Sequence, residues 1–79
     1  MKTIKHWRTR GNRYELKVFL EEDGTYSYSE LTNIKGMLLP DVTARGVNYG
    51  SLETVMISVN NLLRCYNGFG GPNFIEVTT

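Results

Sequence analysis

The stretch HWRTRGNR, residues 6–13, gathers His6, Trp7, Arg8, Arg10 and Arg13, with Lys5 and Lys17 close by. Guanidinium groups in such a cluster can hold phosphates beside an aromatic ring that stacks a base, or they can meet an acidic protein surface. Covalent chemistry has less to draw on. His6 is the only histidine and Cys65 the only cysteine, and a Cys–His pair needs hydrogen-bond reach and a third orienting group that the spacing does not supply. Glu21-Glu22-Asp23 could bind a hard cation, but carboxylates at a hairpin tip are ordinarily just solvated. In NGFGGPN, residues 67–73, the glycines follow a helix and precede a strand. A phosphate-cradling loop has the opposite order, so ordinary loop chemistry is the simpler reading, with Phe69 at the tip. There is no Gly-x-Ser-x-Gly turn and no paired-histidine or zinc-finger spacing. The expectation is a chain without catalytic residues, cofactor or metal, working through a surface.

Charge narrows which surface. Residues 1–17 carry Lys2, Lys5, Arg8, Arg10, Arg13 and Lys17 against Glu15 alone, whereas the whole chain of 79 residues has a net charge of only +1. Such asymmetry can mark a nucleic-acid surface, yet the net charge is far below that of a typical basic binder. A single cysteine, no apolar run of membrane-spanning length and a polar start (Met1-Lys2-Thr3) predict one soluble, cytoplasmic domain, residues 1–79.

The elements that must position these residues are partly visible. Ser51 is a suitable N-cap, and Glu53 suits the positive helix start. Leu52, Val55, Met56, Val59, Leu62, Leu63 and Tyr66 recur at helical spacing, and Asn67-Gly68 ends the run. Ile57 falls outside this stripe. In YELKVFLEEDGTYSY, Tyr14, Leu16, Val18 and Leu20 alternate with polar or mixed positions, and Asp23-Gly24 reverses the chain. A three-residue turn, Glu22-Asp23-Gly24, sets Tyr26 and Tyr28 beside Leu20 and Val18, whereas a two-residue turn sends them to the other face. The first choice collects the aromatics and is preferred.

A tight Gly11-Asn12 turn joins a first strand, about residues 2–10, to the second. This register sets Trp7 against Leu16, Arg8 against Glu15, Lys2 against Glu21 and Ile4 against Phe19. Arg10 and Arg13 are left facing each other without a reason in the fold. Ile4 and Phe19 would then form an apolar patch on the side away from the helix, where a partner strand or a second copy could bind. Met37-Leu38-Leu39 reads as a short strand or packed segment bounded by Pro40, and residues 74–77 as a final strand. The order β-β-β-(β)-α-β predicts an α+β fold, an antiparallel sheet of three to five strands with one amphipathic helix on one face.

Two resemblances follow from this layout. RYELKVFLEEDGTYSYSELTNIKG followed by GVNYGSLETVMISVNNLL, residues 13–63, is similar in arrangement to HicB-like antitoxins, which implies a dimer associating through its sheet. The chain also resembles small phage anti-CRISPR proteins in its Met-Lys-x-Ile-Lys start, Tyr-led strand, sharp hairpin and Gly-Pro loop before a late strand. That likeness implies steric occupation of a protein or ribonucleoprotein complex in a host cytoplasm. The sequence therefore predicts a non-enzymatic binding module, a monomer or weak homodimer. Its partner-binding residues are expected to be Arg8, Arg10 and Arg13, with Trp7 and Lys17 beside them. Direct nucleic-acid binding by the same turn is the competing expectation.

Overall fold

The structure is a computed structural model and describes residues 1–33, 41–68 and 74–77. Five strands form one sheet: β1 (Lys2–Thr9), β2 (Tyr14–Leu20), β3 (Tyr26–Thr32), β4 (Asp41–Tyr49) and β5 (Phe74–Glu76), in the spatial order β4-β3-β2-β1-β5. Every neighbouring pair is antiparallel. The helix α1 (Leu52–Gly68) leaves the β4 edge, crosses one face and returns the chain to the β5 edge. This is the expected α+β layer, with the opposite sheet face left open.

The β2–β3 hairpin takes the three-residue turn. Leu20 pairs with Tyr26 and Val18 with Tyr28, Glu21 and Thr25 close the loop through a 2.8 Å backbone bond, and Gly24 sits at φ +86°. A glycine there avoids the clash that a Cβ would make in the left-handed region. The helix begins where Ser51 predicts. Thr54 N–H donates to Ser51 Oγ at 3.2 Å, and Thr54 Oγ1 accepts in turn from Ser51 N–H at 3.3 Å, so two otherwise orphaned donors are satisfied reciprocally.

Trp7, Leu16, Val18, Val55 and Val59 make the buried centre. Around it pack Tyr26, Tyr28, Tyr49, Leu52, Met56, Leu62, Leu63 and Phe74. The tyrosines contribute ring faces, and Tyr49 Oη lies 2.9 Å from Ser58 Oγ.

Two register expectations are corrected. Trp7↔Leu16 and Arg8↔Glu15 hold, but a bulge between Thr3 and Lys5 shifts the pairing by one residue. Lys2 consequently faces Leu20 rather than Glu21, and Phe19 faces Thr3 rather than Ile4. Ile4 is turned to the covered side, where it packs against the core. The gain is physical: fully burying an isoleucine is worth roughly 1.5–3 kcal/mol, and the partly buried Ile4 keeps a share of that which an unbroken ladder would forfeit by pointing it at solvent. The Ile4–Phe19 surface patch therefore does not form.

The fourth strand lies at Asp41–Tyr49, while Met37-Leu38-Leu39, Pro40 and Phe69 fall outside the described residues. β4 carries two extra residues relative to β3, one between Gly46 and Tyr49 and one at Thr43. Asn48, at φ +65°, belongs to the first bulge. Gly46 is required between them, because a Cβ at that position would run into the Tyr28 ring and lie 2.9 Å from the Tyr49 ring.

Candidate functional site

The basic turn spans Arg10 to Arg13, with a single 3-10 turn at Arg10–Asn12. Its shape is held by groups other than the guanidinium heads. Tyr14 N–H donates to Thr9 Oγ1 at 3.1 Å, Asn33 N–H donates to the Arg13 carbonyl at 2.6 Å, and Gly11 supplies the positive φ of 81°. Arg10 and Arg13 are exposed. Among the described residues neither lies within 4.0 Å of a carboxylate. Arg13 leans over the Tyr14 ring, 5.8 Å from its centroid, a contact worth only about 0.5–1 kcal/mol at an exposed site. These two side chains thus do little for the fold.

The other residues of the predicted cluster are dispersed. Trp7 is 7% exposed and lies in the core, opposite Leu16 as its register requires, so it offers no ring to a partner at the turn. Arg8 is exposed and faces Glu15 on the open side. Lys17 lies further along the open face, opposite His6. Lys5 approaches Glu76 at 3.8 Å, a rim contact of little energetic weight.

Glu15 is the polar hub of the open face. Its Oε1 accepts from His6 Nε2 at 3.0 Å and its Oε2 from Asn33 Nδ2 at 3.2 Å. Partial burial pushes this carboxyl upward, but the hydrogen bonds from Asn33 and His6 and the nearby Lys17 charge outweigh it, and the net pKa is lowered. His6 is thereby engaged on the open face, while Cys65 is exposed on the helix across the sheet. The structure does not bring these two together as a nucleophilic pair. At the β2–β3 tip, Asp23 accepts from both the hydroxyl and the backbone N–H of Thr25, which lowers its pKa, and Glu21 accepts from Ser27 Oγ at 2.7 Å. Among the described residues no group of three His, Cys, Asp or Glu side chains could hold a metal ion.

A further polar constellation lies under the helix. Glu30 is 3% exposed; its Oε1 accepts from Tyr66 Oη at 2.6 Å and from Thr43 Oγ1 at 2.7 Å. Its Oε2 and the Thr32 Oγ1 two residues on are buried without a partner among the described residues. Burial and then the Glu30 carboxylate push the Tyr66 hydroxyl up to about 12. This cluster was recoverable from the sequence by strand parity. Once Tyr26 and Tyr28 face the helix, so must Glu30 and Thr32.

No helix is long and apolar enough to cross a membrane among the described residues. No protein-family model matches the chain, and neither a curated protein nor a solved structure matches it.

Proposed function

We propose that this chain is a non-enzymatic docking module that occupies an acidic protein surface through Arg10 and Arg13, blocking it sterically rather than by chemistry. What supports this is the division of labour at the turn. Backbone and hydroxyl groups hold the loop, and two guanidinium groups stand outside it with no carboxylate among the described residues. A protein partner is favoured over nucleic acid because Trp7, the ring that would stack a base beside these arginines, is buried.

The test is capture from a native-host lysate by the wild-type chain and by an Arg10→Glu/Arg13→Glu variant, with and without nuclease. The expected result is a protein retained by wild type after nuclease treatment and lost by the variant. The variant's melting temperature should stay within about 3 °C, because surface substitutions away from structural contacts change stability by only about 0.5 kcal/mol. Equal capture by both chains would remove the turn as the site. Capture abolished by nuclease would replace protein docking with nucleic-acid binding.

A further inference from the structure

The open sheet face holds a trough of about 400 Å³. Its floor runs along β3, where the small residues Ser27 and Ser29 point outward. Its walls are Phe19 on β2 and Val42 and Val47 on β4, with Leu31 at one end. Val42 and Val47 are at least half exposed. The bulge at Thr43 completes this wall: Arg45 and Val47 share a face by strand alternation, and the inserted residue brings Val42 to the same side.

Charge among the side chains lining the trough leans positive, Lys17 and Arg45 against Glu21. Lys17, Ser29 and Arg45 lie side by side across β2, β3 and β4, so one cation stands on each wall. The neighbouring carboxylates hydrogen-bond elsewhere, Glu15 with His6 and Asn33 and Glu21 with Ser27. Lys17 acts on Glu15 only through space. Among the described residues neither Lys17 nor Arg45 has a carboxylate within 4.0 Å.

We infer that this trough receives an amphipathic α-helix of a partner protein, its apolar stripe bordered on both sides by carboxylates. The dimensions agree. The seven residues of β3 span roughly 23 Å at ~3.3 Å each, which about 15 residues of helix would cover at ~1.5 Å per residue. Lys17 and Arg45, two strand spacings or roughly 10 Å apart, bracket a helix of about 10 Å diameter. Three other occupants fit less well. An added strand on β4 meets a doubly bulged edge, the usual device against such pairing. Nucleobases would find little to stack on, because among the described aromatic residues lining the trough, Phe19 and Tyr28, the second is packed against the core. A second copy's helix would offer only Ile57 among exposed Glu53, Asn60, Asn61 and Arg64.

The probe is a synthetic 15-residue helical peptide with a leucine stripe bordered by glutamates, titrated by fluorescence anisotropy against the full chain. A peptide with lysines at the glutamate positions is the control. The glutamate peptide should bind saturably and the lysine peptide about tenfold more weakly. Lys17→Glu/Arg45→Glu should reverse that preference, and Ser29→Trp, which fills the floor, should abolish binding of the glutamate peptide while circular dichroism is retained. Arg10→Glu/Arg13→Glu should leave it unchanged, so failure of the basic turn as a docking site is separable from failure here. Equal binding of the two peptides to wild type overturns the inference. So does undiminished binding by a folded Ser29→Trp chain, or by the charge-reversed pair if the tryptophan variant does not fold. Competition by oligo(U) would make nucleic acid the occupant, and a sedimenting homodimer dispersed by Ser29→Trp would make it a second copy.

Discussion

Removing one hydroxyl, Tyr66→Phe, tests how the buried Glu30 is tolerated. The ring stays, and with it the contacts to Phe74 and Tyr14 at centroid distances of 5.3 and 6.2 Å. What is lost is one of two donors to Glu30 Oε1, at 2.6 Å. A hydrogen bond to a charged group contributes about 1.5–3 kcal/mol, and Oε2 is already without a partner among the described residues. The expected loss is therefore about 2 kcal/mol, or a fall in melting temperature of roughly 8–16 °C for a domain of this size. In a Glu30→Gln background the same bond joins two neutral groups and is worth nearer 1 kcal/mol. A double-mutant cycle by urea unfolding should thus return a coupling of about 1 kcal/mol. A Tyr66→Phe loss below about 0.5 kcal/mol, or the same loss in both backgrounds, would refute the view that an ionised Glu30 leans on this hydroxyl.

Two other perturbations follow from the packing. Gly46→Ala should cost about 1–3 kcal/mol in urea unfolding, because the new methyl meets two tyrosine rings that are themselves packed at 6.0 Å; an unchanged midpoint would show that the β4 bulges absorb it. Stability should also fall between about pH 10 and 12. The Tyr66 pKa is raised to about 12 in the folded chain, so its contribution is complete below pH 10 and is lost as pH rises through 12. A pH titration of the unfolding midpoint, repeated with Tyr66→Phe, should show a shallower alkaline decline in the variant.

The parts of this fold that were legible in the sequence are those where one period dominates. The α1 stripe, the Ser51 cap and the Tyr14–Leu20 alternation each follow from a single geometric repeat. The three-residue turn could be chosen because it alone put Tyr26 and Tyr28 with Val18 and Leu20. Bulges are where this reasoning loses its grip, since one inserted residue exchanges the faces beyond it. Unbroken alternation therefore points Ile4 at solvent, and the bulge after Thr3 turns it inward. Asp41–Tyr49 did not read as a strand because two insertions and Gly46 erase its alternation. Of the basic cluster, the exposed turn was readable from charge alone, and Trp7 was correctly paired with Leu16. The trough was not, because it depends on which β4 residues share a face, and the β4 insertions alone decide that.

The pairing of β5 with β1 carries a consequence for how the chain comes together. Thr9 meets Phe74, so β1 gains its second neighbour only after nearly every other element has been made. Until then the outer backbone groups of its Trp7–Thr9 end stand open, and closing so long a loop is entropically unfavourable and slow. A nascent chain halted between α1 and Phe74 would expose a ready template for a neighbour's strand. Ribosome stalling late in this message would accordingly yield aggregates.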